Sequence, residues 1–412
     1  MTKTSLGKDK IKVLLLESIH PSAVDAFRMD GYANVECHDR SLHEADLVAR
    51  IAGAHILGIR SGTRVTEAVL ARADKLMAIG CFSIGTDRVD LAAAEARGIP
   101  VFNAPFSNTR SVAELVLAEI VLLCRGIAER NAAAHRGRWL KTVGGATEVR
   151  GKVLGIVGYG HIGTQVGVLA EALGMQVCYF DVQTKLALGN AQRAGSLDAL
   201  LERSDVVTLH VPETPETLRM IGEGQLARMR RGAKLINASR GSVVDIEALA
   251  RALESGHLAG AAIDVFPAEP RSDGEEFVSP LRRFDNVLLT PHIGGSTAEA
   301  QQNIGLEVAT KLVKYSDNGS TVGAVNFPQV ALPEHAGKHR LLHVHRNEPG
   351  MLAKVNAILS DAGINIASQY LETDARVGYA VIDIDGAGRP VSQAVRKKLD
   401  AVDGTIRTRV LY

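Results

Sequence analysis

The stretch "VLGIVGYGHIGTQVG", residues 153–167, decides the fold. Its first half, "VLGIV", is a short apolar run rich in β-branched residues and reads as a buried strand. The part after Ile162 reads as a helix, and Gly158, Gly160 and Gly163 fall where the two meet. Such a glycine pattern alone is a weak signal, but between a strand and a helix it has a mechanism. Gly158 permits the sharp turn, Gly160 lets the backbone approach a pyrophosphate, and Gly163 lets the helix pack closely on the strand. N–H groups at the helix start, aided by its dipole, hold the phosphates. Asp181 stands eighteen residues after Gly163, at the end of "QVCYF". A carboxylate there accepts from both ribose hydroxyls and repels a 2′-phosphate, so the expected cofactor is NAD rather than NADP.

Outward from this stretch, apolar runs and helical segments alternate. "KVLGIVG", "QVCYFD", "DVVTLHVP", "AKLINAS", "GAAIDVF" and "NVLLTPH" make a full doubly wound set from residue 151 onward. Upstream, "IKVLLLE", "NVECHD", "HILGIRS", "KLMAIGC" and "PVFNAP" repeat the same alternation to about residue 107, which predicts a second parallel sheet. The apolar run "SVAELVLAEIVLLCRGI" (residues 111–127) suits a buried helix between domains or subunits. A helical segment runs from Pro291 to about residue 315, and "NFPQVALPEHAGK" (residues 326–338), with two prolines and no periodicity, reads as a linker. The last stretch, residues 339–412, has the order βαββαβ of the ferredoxin-like plan. The expectation is therefore an α/β protein of two doubly wound parallel-sheet domains: a flavodoxin-like substrate domain (1–107 with 295–327) and a Rossmann NAD domain (108–294). A linker (328–338) and a small C-terminal domain (339–412) follow.

Composition narrows the function. The 412 residues are 46% hydrophobic and 23% charged, with a net charge of +1, which gives no electrostatic case for nucleic acid or an anionic membrane. No apolar run is long enough to span a bilayer, and the polar start "MTKTSLGKDK" lacks the apolar core of a signal peptide. Cys37, Cys81, Cys124 and Cys178 are far apart and form no CxxC pair, so neither a disulfide framework nor a zinc or other metal site is expected. A reducing cytoplasm fits best.

Three segments end predicted strands at the side where open parallel sheets bind ligands. "INASRG" carries Arg240, "DVFPAEP" carries Glu269 and "TPHIGGS" carries His292. Any one of them alone would more often be structural. Together, beside a dinucleotide loop, they supply what oxidation of a 2-hydroxy acid needs. Arg240 would hold the substrate carboxylate and polarise the carbonyl oxygen. His292 would take the hydroxyl proton, and Glu269 would orient the imidazole and raise its proton affinity.

The segments "GIVGYGHIGTQVG", "LHVPETPETLRMI", "LINASRGSVVDIEAL" and "DVFPAEP…LTPHIGGST" resemble the D-2-hydroxyacid dehydrogenase family along essentially the whole chain. With its C-terminal domain the chain resembles the bacterial branch of that family that carries an ACT domain. The resemblance implies catalytic roles for Arg240, Glu269 and His292. It implies cofactor contacts from Gly158, Gly160, His161, Ile162, Gly163 and Asp181, and from Ala238, Ser239, Arg240, Asp264, His292 and Gly295. For the substrate it supports Arg60, Ser61 and Asn108. Members of that branch often carry a further basic residue directly after the Arg–Ser pair, where this chain has Gly62. In relatives the segment "HRGRWLK", with Trp139 and Lys141, reaches a neighbouring subunit's site; a plain interface aromatic is the alternative.

By the same resemblance, "HVHRNEPGML" matches the first strand and loop of ACT domains. His345, Asn347 and Asn365 would then bind L-serine as an effector, since Asn side chains offer paired donors and acceptors to a zwitterion. Serine would shift a hinge in the catalytic body. The implied activity is NAD-dependent oxidation of 3-phospho-D-glycerate to 3-phosphohydroxypyruvate, the first step of serine synthesis, by a homotetramer. Action on another 2-hydroxy acid, such as 2-hydroxyglutarate, glyoxylate or lactate, and a non-catalytic NAD-sensing scaffold stay open as alternatives.

Overall fold

The computed structural model describes residues 6–141, 144–270, 274–334, 339–385 and 389–412. The chain divides into two compact units, one of residues 1–107 with 301–412 and one of residues 108–300.

The first unit opens with five strands: β1 (Lys12–Leu15), β2 (Asn34–Cys37), β3 (Ile56–Ile59), β4 (Ala78–Cys81) and β5 (Val101–Phe102). They form one parallel sheet in the order β2-β1-β3-β4-β5. β3 and β4 are buried along their whole length, as continuous apolar runs covered on both faces must be. The helix Pro21–Met29 begins on a proline whose missing N–H costs nothing there, and His20 Nδ1 accepts from Ser22 N–H to cap it.

The second unit holds seven parallel strands: β6 (Val153–Val157), β7 (Gln176–Phe180), β8 (Gln192–Arg193), β9 (Val206–Leu209), β10 (Lys234–Asn237), β11 (Gly260–Ile263) and β12 (Val287–Leu289). Their order is β12-β11-β10-β9-β6-β7-β8, with the reversal between β6 and β9 that marks a doubly wound nucleotide-binding sheet. The helix Thr109–Arg125 lays Val112, Val116, Ile120 and Leu123 on this sheet, together with Leu154, Ile156, Ile236 and Ala262. Each such fully buried aliphatic contributes about 1.5–3 kcal/mol, against ~0–1 kcal/mol for an exposed ion pair, so packing rather than surface charge holds the unit.

The C-terminal strands β13 (His339–Arg346), β14 (Asn365–Thr373), β15 (Val377–Asp385) and β16 (Thr405–Leu411) form an antiparallel sheet in the order β14-β15-β13-β16. Helices Met351–Asp361 and Arg389–Asp400 complete the βαββαβ plan. One face of this sheet shares a core with the first sheet's helices: Leu342, Val344, Tyr379 and Val381 cluster with Leu312, Tyr315 and Phe327. Arg340, fully buried, makes a forked pair with Asp383 at 2.6 and 2.8 Å and donates to the carbonyls of Asn318 and Pro333.

Two segments differ from the sequence reading. The stretch read as a linker is anchored over residues 328–334. Thr321 N–H donates to the Val330 carbonyl, Asn318 to that of Leu332, and Val330 is buried. Residues 335–338 of that expected linker lie outside the described residues. An extended segment packed by side chains has no periodicity to betray it. The helix expected from Pro291 begins instead at Ala298, because the backbone N–H groups of Ile293 and Gly294 are taken by the Asp264 carboxylate. Among the described residues no helix is long and apolar enough to cross a membrane.

Candidate active site

The loop after β6 has the geometry its glycines foretell. Gly158 sits at φ 89°, and a Cβ there would lie 2.3 Å from the His210 carbonyl oxygen. At Gly163 a Cβ would lie 2.2 Å from the Gly158 carbonyl, so only glycine lets the helix His161–Ala172 press on the turn. A Cβ at Gly160 would meet nothing within 4 Å: that side of the loop is open. His161 and Ile162 open the helix, whose first N–H groups have no earlier turn to bond. Asp181 follows β7 and its carboxylate accepts from Tyr159 N–H and Gln183 N–H, both at 2.8 Å. An open glycine at a helix N-terminus with a fixed carboxylate at the next strand end fits a dinucleotide.

Arg240, Glu269 and His292 follow β10, β11 and β12, three adjacent strands of one sheet. His292 Nδ1 lies 2.9 Å from Glu269 Oε2, and Glu269 Oε1 accepts from Phe266 N–H at 3.1 Å. Glu269 Oε2 is therefore placed by its own loop before it meets the ring. The hydrogen bond to Glu269 raises the proton affinity of His292 above that of an ordinary histidine, and burial opposes this. Burial pushes the Glu269 carboxyl upward, but the bonds from His292 and Phe266 outweigh it and hold the carboxyl below its usual range. An ionised Glu269 only accepts, so Nδ1 carries the hydrogen and Nε2 is left to exchange a proton. The positive charge of Arg240 acts on both partners, favouring the carboxylate and opposing the imidazolium. The side chain of His292 is half exposed.

Asp264 was expected to meet the cofactor. Its side chain is buried and committed to the loop that carries His292: it accepts from Thr290 Oγ1 at 2.7 Å, Ile293 N–H at 2.8 Å and Gly294 N–H at 2.9 Å. His292 itself stands at φ 54°, rare for a residue with a Cβ, and its N–H donates to the Asp264 carbonyl. Ser239 is likewise bound within its turn: its N–H and hydroxyl both donate to Asn237 Oδ1, while Asn237 Nδ2 donates to the Arg240 carbonyl. Ala238 lies in the same turn, and Gly295 lies so close to Asn108 that a Cβ would come within 2.4 Å of its amide nitrogen. Asn108 Oδ1 is buried with no hydrogen-bond partner among the described residues.

Sequence reasoning missed Asn237, Thr290 and Glu119. The first two form a polar frame around the site and look like ordinary strand-end residues. Glu119, in the helix Thr109–Arg125, is buried with neither oxygen bonded among the described residues, and burial, aided by the charge of Asp264, pushes its carboxyl up to about 8. A break in that helix's apolar face was the available signal.

The remaining expected residues stand on other elements. Arg60 and Ser61 follow β3 in the first unit, where Arg60 Nη1 donates to the Glu17 carbonyl. Trp139 and Lys141 are exposed, and Trp139, Leu140 and Lys141 line a groove with Ile127, Arg130 and Arg138. In the C-terminal sheet, Asn347 donates to the Asp374 carbonyl and Asn365 lies 3.5 Å from Asp385; both are exposed. His345 is buried against Gly378, with Nδ1 at 2.8 Å from the Arg346 carbonyl.

The fold and this cluster define the class: an enzyme with an NAD-binding sheet and an imidazole–carboxylate pair suited to 2-hydroxy acids. Comparison agrees. Residues 117–294 match the NAD-binding domain of D-isomer specific 2-hydroxyacid dehydrogenases, and residues 341–407 match an ACT domain like that of the AHAS small subunit. D-lactate dehydrogenase from Aquifex aeolicus, solved with NAD and lactic acid, is 28% identical with a TM-score of 0.67, over 77% of this chain and all of that one. A Thermus thermophilus protein is 36% identical with a TM-score of 0.66, over 74% of this chain and 96% of that one. D-3-phosphoglycerate dehydrogenase of Escherichia coli K12 is 59% identical over the full length of both chains. That of Haemophilus influenzae is 57% identical, over all of this chain and 99% of its own. The chain belongs to the D-3-phosphoglycerate dehydrogenases, within the NAD-dependent D-2-hydroxyacid dehydrogenases.

Proposed function

We propose that the protein oxidises 3-phospho-D-glycerate to 3-phosphohydroxypyruvate with NAD, and that L-serine acts as its effector through the ACT domain. The observation that carries the chemistry is the 2.9 Å contact between His292 and Glu269, one strand end from Arg240. NAD, when bound, supplies the acceptor for the hydride that leaves the substrate carbon. Gly158, Gly160, Gly163, His161, Ile162 and Asp181 would hold it. Arg240 holds the substrate carboxylate with its forked donors and polarises the oxygen at the reacting carbon. His292 takes the hydroxyl proton at Nε2 and Glu269 stabilises the imidazolium that results. Arg60 and Ser61 take the phosphate, and Asn108, whose buried Oδ1 has no partner, supports the substrate. Lys141 belongs to a segment that meets a second subunit in a homotetramer.

The serine reading rests on the ACT match and on exposed Asn347, two residues from His345; Asn365, also exposed, pairs with Asp385 at the other end of β15 from Gly378, the partner of His345. A soluble cytoplasmic setting suits both substrate and effector. The test is steady-state NADH formation with 3-phospho-D-glycerate, against D-lactate and 2-hydroxyglutarate, with L-serine titrated in. The highest kcat/KM is expected for 3-phospho-D-glycerate, with turnover falling as serine rises. A preference for another acid overturns the substrate, and indifference to saturating serine overturns the effector.

A further inference from the structure

Leaving β1, the chain takes a backbone path that residues with side chains rarely adopt. Glu17 and Ser18 stand at φ 66° and 48° in succession. Such conformations persist only where their surroundings hold them. Ser18 donates from its N–H to the His38 carbonyl at 3.1 Å and from its hydroxyl to the Asp39 carbonyl at 3.0 Å, whereas the contacts of Glu17 lead to one loop, residues 60–63. Glu17 Oε2 accepts from Gly62 N–H at 2.7 Å and Oε1 from Thr63 N–H at 2.8 Å. The Glu17 carbonyl accepts from Arg60 Nη1 at 3.3 Å. The far end of the loop is pinned as well, since Thr63 is fully buried and its hydroxyl accepts from Leu42 N–H at 3.3 Å. A Cβ at Gly62 would lie 2.9 Å from Ser41 Cβ, so the loop has no room for a side chain there unless Ser41 moves.

Successive N–H groups aimed at one point form a nest for an anion. In this chain the nest is filled from within, by the Glu17 carboxylate. The loop amides at 62 and 63 are thus spent on Glu17, and what remains for an anionic ligand is the Arg60 guanidinium and the Ser61 hydroxyl. We propose that Glu17 is a positioning residue for the substrate phosphate: its carboxylate and carbonyl lock residues 60–63 so that Arg60 and Ser61 are presented in one arrangement. The inference rests on the assignment of Arg60 and Ser61 to the substrate.

The experiment compares Glu17→Gln, Glu17→Gly and Arg60→Ala in the full-length protein, by steady-state kinetics and thermal melting. Glutamine keeps one acceptor and turns an N–H donor toward the other amide. Glycine adopts a φ of 66° freely, so Glu17→Gly removes the carboxylate part of the clamp, and keeps the carbonyl, without straining the backbone. Both variants should raise the KM for 3-phospho-D-glycerate about tenfold, with kcat and the KM for NAD within about twofold. Combined with Arg60→Ala, Glu17→Gly should add less than its separate effect, because the clamp acts on the substrate through the placement of Arg60 and Ser61. A lowered Tm with an unchanged KM in both Glu17 variants, while Arg60→Ala raises KM, overturns the clamp and leaves the phosphate assignment standing. An unchanged KM in Arg60→Ala overturns that assignment and the clamp with it.

Discussion

Two histidine sites in this chain have opposite chemistry. His292 is half exposed and touches a carboxylate, which raises its proton affinity. His343 and His345, on β13, have rings 5.3 Å apart and are buried. Burial, with the neighbouring His345, pushes His343 down to about 4. His343 Nε2 pairs with the Thr405 hydroxyl at 3.0 Å, and its Nδ1 has no partner among the described residues. The residue type is the same; the surroundings decide whether it exchanges protons near neutral pH or behaves as a neutral core group. A carboxylate at hydrogen-bond distance raises the proton affinity of the first. Burial of the His343 ring keeps that residue neutral above pH 6.

Removing the proton carrier tests the contrast most directly. His292→Ala should lower kcat by about 10³-fold with the melting temperature nearly unchanged, and a loss below about tenfold would show that His292 is not the base. Replacing its partner should have a smaller effect. Glu269→Gln is expected to lower kcat/KM by about ten- to a hundredfold and to move the pH profile. The proposed mechanism needs neutral His292 for oxidation, so activity is expected to fall as pH drops through its pKa. Without the carboxylate that pKa declines, and the acidic limb must shift to lower pH. A limb that stays in place would break the coupling read from the 2.9 Å contact.

The buried pair should show itself in stability rather than in rate. His343 has a folded pKa of about 4 against an ordinary 6.5, so its burial is fully tolerated above pH 6.5 and works against folding as pH falls toward 4. At pH 5 this amounts to about 2 kcal/mol. His343→Gln should flatten the fall in Tm between pH 7 and pH 5, measured by differential scanning calorimetry. An equally steep fall in the variant would place the acid sensitivity elsewhere.

Much of the site was legible before any coordinates. The spacing of the glycines states its own geometry: Gly158 and Gly163 answer local steric demands that the structure repeats, and the side of the loop at Gly160 is open. Arg240, Glu269 and His292 were legible because each ends a strand, and strand ends are visible in apolar runs. Asp264 was singled out, but its bonds to Thr290, Ile293 and Gly294 were not legible, because they span more than twenty residues. The packed segment 328–334 was hidden because extended chain held by scattered hydrogen bonds leaves no repeating pattern.

By itself the amino-acid order determined the alternation of strand and helix and the glycine turn between β6 and its helix. These follow from interactions among residues a few positions apart. Only the tertiary structure decided which strand lies beside which, the 2.9 Å at which Glu269 meets His292, that Arg340 is sealed against Asp383, and that Glu17 fills the nest at residues 62 and 63. Those contacts join groups tens of residues apart, and packing the whole core sets the distance at which such groups meet.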